Sequence, residues 1–160
     1  MTAVTVLVFV APQTSSPIIM VPSTGWVSET EREYKNLLFH FSLIYPKDLQ
    51  VREYDDGTSA STITFEDRAG KNGFQIFIVP YPEKQVSVEQ FKKDVPSGVM
   101  ENPINIKIDG APATLFYSRD VIVGDTLEVW FIKNGFLYEV TTSKELESWL
   151  ADIMKTWQFF

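Results

Sequence analysis

The chain has 160 residues, 44% of them hydrophobic, enough for one domain that buries roughly two thirds of the surface its unfolded form exposes. It contains no cysteine, which excludes thiol catalysis, cysteine-ligated zinc, iron–sulfur clusters and disulfides. A formal net charge of -7 disfavours a nucleic-acid partner, because phosphate neutralisation calls for clustered Lys and Arg, and the isolated pair Lys92-Lys93 is no patch.

Residues 1–28 carry no charged side chain and set themselves apart from the domain expected over 29–160. The apolar run Val4–Ala11 is shorter than the about 20 residues that span a bilayer. Pro12 closes it, and no Lys or Arg precedes it as in a secretory signal. Three readings are open: a signal or anchor with its start missing or mis-assigned, an apolar strand packed on the domain, or a disordered lead. The Pro, Ser and Thr content of 12–28 suits a spacer, and the segment as a whole favours an exported domain tethered to a membrane.

Glu29–Asn36 reads as a short helix or a linker. Phe39, Phe41 and Leu43 then alternate with His40 and Ser42, the pattern of a half-buried strand ended by Pro46-Lys47-Asp48. A second strand starts near Gln50. Asp55-Asp56-Gly57 is a turn signal, and Ile63 and Phe65 mark a third strand. In the fourth, Phe74, Ile76 and Ile78 alternate with Gln75, Phe77 and Val79, so both faces are largely apolar and the strand belongs in the middle of a covered sheet. Pro80 and Pro82 end it.

Ser87-Val88-Glu89-Gln90 has the spacing of a capping box and predicts a helix of two or three turns. Ile104, Ile106 and Ile108, interleaved with Asn105, Lys107 and Asp109, predict a strand with one buried face. Asp109-Gly110 turns it into a strand over 113–119, and Gly124-Asp125 precedes the next. Lys-Asn-Gly-Phe occurs at 71–74 and again at 133–136. At the second copy Asn134-Gly135 suits a two-residue type I′ hairpin, which sets Phe131 opposite Tyr138, Val129 opposite Val140, Ile132 opposite Leu137 and Trp130 opposite Glu139. The sequence around the two copies does not repeat, so they are one turn device used twice rather than a duplicated site. Thr142-Ser143-Lys144-Glu145 has the spacing of another capping box, and Leu146, Trp149, Leu150, Ile153, Met154 and Trp157 follow at helical spacing. The final Trp-Gln-Phe-Phe reads as a short strand. Hairpin-linked strands with late helices indicate an α+β domain, an antiparallel β-sheet flanked by helices.

The stretches FHFSLIYPKDL at 39–49, IKIDGAPA at 106–113 and WFIKNGFLYEVTTSKELESWLADIMKTWQF at 130–159 resemble the PsbP-like superfamily, most of all its bacterial membrane-tethered members of unknown role. That resemblance implies an α/β/α sandwich around an antiparallel sheet, mostly without enzymatic activity and often exported. None of the matching residues is catalytic. The specialised N-terminal segment of the photosystem member has no counterpart in 1–28, so no role in oxygen evolution is carried over.

Chemistry is sparse. His40 is the only histidine and has no partner pattern for a triad or a metal site. No Gly-x-Ser-x-Gly elbow, Walker loop or Gly-x-Gly-x-x-Gly is present. Glu53-Tyr54-Asp55-Asp56-Gly57 offers oxygens but lacks the spacing of an EF-hand, and reads as a solvated turn. The aromatics Phe39, Phe41, Phe74, Phe131, Trp149 and Trp157 fall at core spacing. Tyr54 and Trp130 alternate with charged neighbours, so Tyr54, Asp55, Asp56 and Trp130 are the residues to consider for ligand or partner contact. The expectation is a binding or accessory domain without catalytic residues, cofactor or metal, its ligand or protein partner unspecified, touching a membrane only through its N-terminal segment. The alternatives are a cofactor-free hydrolase working with carboxylates and a structural envelope protein.

Overall fold

The structure, a computed structural model, describes residues 27–55, 57 and 59–160; the leader 1–26 and Asp56 lie outside them. Its frame is a seven-stranded antiparallel sheet in the order β3-β4-β5-β9-β8-β7-β6. The strands are β3 (Gln50–Asp55), β4 (Ser61–Glu66), β5 (Gly73–Pro80), β6 (Glu101–Ile108), β7 (Ala111–Asp120), β8 (Gly124–Lys133) and β9 (Phe136–Ser143). A three-stranded sheet, β1 (Glu31–Asn36), β2 (Phe41–Pro46) and β10 (Gln158–Phe159), has the order β1-β2-β10. Two helices complete the layers, α1 (Val88–Asp94) and α2 (Glu147–Met154), the second preceded by a single 3₁₀ turn over Lys144–Leu146. The α+β class and the antiparallel sheet flanked by helices are as expected.

β5 holds an interior place in the sheet, and its residues Gly73 to Ile78 are all buried. The β8–β9 hairpin has the register the turn dictates: Phe131 faces Tyr138, Val129 faces Val140, Ile132 faces Leu137 and Trp130 faces Glu139. Asn134 and Gly135 have φ of 53° and 80°, the left-handed pair of a type I′ turn. The first Lys-Asn-Gly-Phe works on other grounds. Gly73 has no positive φ, but a Cβ there would lie 2.3 Å from the carbonyl oxygen of Phe65 across the strand, so glycine is required for room. Its loop is organised by Asp67, whose carboxylate accepts from the backbone N–H groups of Lys71 and Asn72 and from the Asn72 amide.

One face of the large sheet carries Ile63, Phe65, Phe74, Ile76, Val129, Phe131, Tyr138 and Val140, all buried in the main core with Phe41, Leu43, Leu150, Ile153 and Trp157 from the covering elements. Trp157 stacks on Phe41 at 4.3 Å between ring centroids and meets Phe131 edge-on at 5.2 Å. The other face carries Phe116, Trp130 and Leu137, which pack on Phe91 and Val95 of the α1 region and on Tyr81.

Five local expectations change. Residues 31–36 are the strand β1, whose buried Tyr34 donates to Glu53 Oε1 at 2.6 Å and ties the small sheet to the large one. His40 is exposed in a turn before β2 with φ 54° rather than on a strand face, while Ser42 is buried. Of the isoleucine stripe only Ile108 is fully buried, because β6 is an edge strand; Ile104 is 53% exposed. The box at 142–145 is not made: Thr142 Oγ1 donates to the Gly73 carbonyl at 2.7 Å and Ser143 makes no side-chain cap. At α1, Ser87 Oγ does accept from the Gln90 N–H at 3.1 Å, but the Gln90 side chain turns forward to Asp94 instead of back.

Candidate functional site

Six inter-strand gaps at about 4.8 Å make the sheet roughly 29 Å wide, and one helix about 10 Å across cannot roof it. On the main-core face β1, β2 and β10 cover part of the width and α2 another part, with Leu150, Ile153 and Met154 turned down and Trp149 against Phe74. The β6–β7 edge is left partly open. There a groove of about 280 Å³ runs between sheet and helix, with Ile106, Ile108 and Leu115 on one side and Leu150, Ala151 and Met154 on the other.

Three charged residues, Lys107, Glu147 and Lys155, also border this groove. Both Glu147 carboxylate oxygens accept from the Tyr117 hydroxyl at 3.0 Å, and Lys144 Nζ stands 4.5 Å above the Tyr117 ring. The hydrogen bond to Glu147 is the main reason the Tyr117 pKa rises above the usual phenol value. Lys155 pairs with Asp152 at 2.8 Å in full solvent, a contact that holds the ammonium only weakly. An apolar trough with a few polar groups at its border is the usual makeup of a ligand site.

A second constellation lies on the opposite face. Glu128 and Glu139 are 2% and 3% exposed. Glu128 accepts from Thr126 Oγ1 at 2.8 Å, Thr141 Oγ1 at 2.7 Å and Trp130 Nε1 at 3.3 Å. Burial nevertheless pushes its pKa up to about 7. Glu139 Oε1 is buried with no hydrogen-bond partner. Burial, then the charges of Glu128 and Asp94, raise its pKa well above the carboxylate range. Asp94, from α1, accepts from the Tyr81 hydroxyl at 2.6 Å and from Gln90 Nε2 at 2.9 Å. Neither glutamate borders the groove. The sequence offered a signal for this pair, since the hairpin register set Glu139 opposite Trp130, but nothing in alternation alone said that helix α1 would seal that face.

The residues singled out from sequence do not converge. Trp130 is only 2% exposed, packed against Phe91 and Phe116 at 5.2 and 5.4 Å, which corrects its reading as a surface contact: Phe91 of α1 helps take it from solvent. Tyr54 lies on the edge strand β3, half-buried, and exposed Asp55 accepts from the Gly57 N–H at 2.8 Å as a turn cap. Asp56 lies outside the described residues. No three His, Asp or Glu side chains gather as metal ligands among the described residues. Sequence reasoning missed the groove because it arises from where a short helix stops, which no periodicity records.

No protein-family profile and no curated sequence matches the chain. In structure it is similar to cyanobacterial PsbP (CyanoP) from Synechocystis sp. PCC 6803, at 12% identity and a TM-score of 0.60, over 88% of this chain and 99% of that one. The likeness establishes a PsbP-like fold.

Proposed function

We propose that the chain is a non-enzymatic binding or accessory domain acting outside the cytoplasm, tethered to a membrane through its uncharged N-terminal segment, and that the α2–β6–β7 groove is its binding surface. The groove carries this reading: half-buried Ile106 and Leu115 of the sheet and exposed Ala151 of α2 border a trough whose floor is the buried core residues Ile108, Leu150 and Met154. The uncharged leader and the resemblance to exported PsbP-like proteins support the location. A carboxylate hydrolase would draw on Glu128 and Glu139, yet their oxygens are engaged with threonines and the Trp130 indole or sealed by packing, and the groove lies on the other face.

The test uses the apolar fluorescent probe anilinonaphthalene sulfonate on the intact chain. The wild type binds it saturably with a blue-shifted emission, and Ala151→Trp, which fills the trough from the exposed side of α2, abolishes the signal while leaving the melting transition in place. Equal enhancement by both proteins would refute the groove as the binding surface.

A further inference from the structure

Resting on the N-terminal segment as a membrane tether, and independent of the groove, we propose that the β7–β8 turn is a docking tip whose partner is the surface of an uncharged, zwitterionic bilayer. Turns are ordinarily built from Gly, Pro, Asn, Asp and Ser, yet this one places Val121 and Ile122 in solvent, 97% and 73% exposed. The loop that presents them is a fixed one. Asp120 Oδ1 accepts from the backbone N–H groups of Ile122 at 2.7 Å and Val123 at 2.8 Å, and Asp120 pairs with Gly124, at φ 88°, across the turn. The turn therefore keeps two neighbouring aliphatic side chains in water, an unfavourable hydration that folding of the domain does not require.

Strand pairing fixes which end of the fold this is. The described domain starts at Val27, itself 48% exposed, and enters β1 where Glu31 pairs with Pro46 and the Lys47 N–H donates to the Thr30 carbonyl at 2.9 Å. Residues 47–49 turn β2 into β3, Gln50 pairs with Glu66, and Glu66 with Gly73. Phe74 pairs with Thr142, and Ser143 with Thr126, beside Gly124 and Asp125 of the turn. These pairings follow one rim of the fold from the place where residues 1–26 join it to the Val121–Ile122 tip. A tether attached at this rim raises the effective concentration of lipid surface there to about millimolar, so two aliphatic side chains suffice that would not hold an untethered protein. Next to the tip the same rim holds a cleft of about 250 Å³, with apolar Val123 and Leu146 and polar Lys71, Asn72, Ser143 and Glu66 on its walls, a mixture suited to the depth where lipid chains meet headgroups. Its lysine and glutamate are of opposite sign, and Arg119 and Asp125 beside the tip pair with each other at 3.0 Å. These residues offer anionic lipid no basic surplus, and a bilayer without net charge is not repelled by the -7 of the chain. Leu37 and Leu38, 66% and 77% exposed, follow the far end of β1, away from the point of attachment.

The experiment labels the intact chain, which has no cysteine of its own, with the environment-sensitive fluorophore nitrobenzoxadiazole at Val121→Cys or, at the other end, Leu38→Cys, and adds dioleoylphosphatidylcholine vesicles. Both proteins are expected to float with the vesicles. The label at 121 is expected to shift its emission to the blue and to lose most of its quenching by aqueous iodide, and the label at 38 to do neither. A further Ile122→Asp is expected to abolish the shift at 121 without loss of flotation. Flotation with no shift at 121, with a shift at 38 equal to or larger than that at 121, or with a shift at 121 that survives Ile122→Asp overturns the tip and leaves the tether standing. Failure to float overturns both and leaves the groove untouched. A shift at 121 that grows with protein concentration in the absence of vesicles identifies a second copy as the occupant, and one that appears only when phosphatidylglycerol is added identifies an anionic surface; either result overturns the inference.

Discussion

Glu128 and Glu139 make the stability of this fold depend on pH in the direction opposite to that of a salt-bridged carboxylate. Burial raises the Glu128 pKa from 4.5 to about 7, so between these values the folded chain holds a proton that the unfolded chain has released. Stability therefore falls as pH rises through that window. At about 1.4 kcal/mol per pKa unit, Glu128 alone removes about 3 kcal/mol, and Glu139, raised further by the charges of Glu128 and Asp94, extends the decline upward. Replacing Glu139 with Gln is expected to raise stability at pH 8 more than at pH 5 and to flatten the slope. Urea unfolding of both proteins at the two pH values checks it, and parallel pH profiles would show that the pair does not titrate with folding. Trp130 shows how far single residues were legible in the sequence. Its partner across the hairpin was readable from the Asn-Gly turn, but its burial depended on Phe91, a residue of α1 distant in sequence.

At the scale of elements, the two copies of Lys-Asn-Gly-Phe separate what a glycine is needed for. Gly135 supplies a left-handed φ, and a methyl group added there would meet nothing within 4 Å, whereas Gly73 supplies space beside the Phe65 carbonyl. Gly135→Ala is expected to cost about 1 kcal/mol for the left-handed backbone. Gly73→Ala should cost more than that, since two paired backbones must move apart in the sheet interior; chemical denaturation of both variants ranks them, and equal losses would contradict the assignment. Strand and hairpin positions were legible because period-two alternation and turn chemistry act locally, as the β8–β9 register shows. The capping box at 142–145 was not, because Thr142 faces β5 and its hydroxyl is taken by the Gly73 carbonyl. The isoleucines of β6 gave the cleanest alternation in the chain, yet alternation reports which side chains share a face and not whether anything covers it.

For the molecule as a whole, the proposed function rests on unequal cover. One face of the sheet is divided between a three-stranded sheet and a short helix, and the share left over is the groove along β6 and β7. Both helices and every strand but β1 were within reach of the sequence; the lateral placement of α2 over a particular set of strands is a tertiary property and was not. The most direct measurement of the central claim is backbone amide chemical-shift mapping of the intact, nitrogen-labelled chain titrated with anilinonaphthalene sulfonate. The account predicts saturable shifts concentrated at Ile106, Lys107, Ile108, Ala151 and Met154, with the Glu128–Glu139 face and the turn at Asp55 unmoved. Shifts centred on either of those regions, or spread evenly over the sheet, would contradict it.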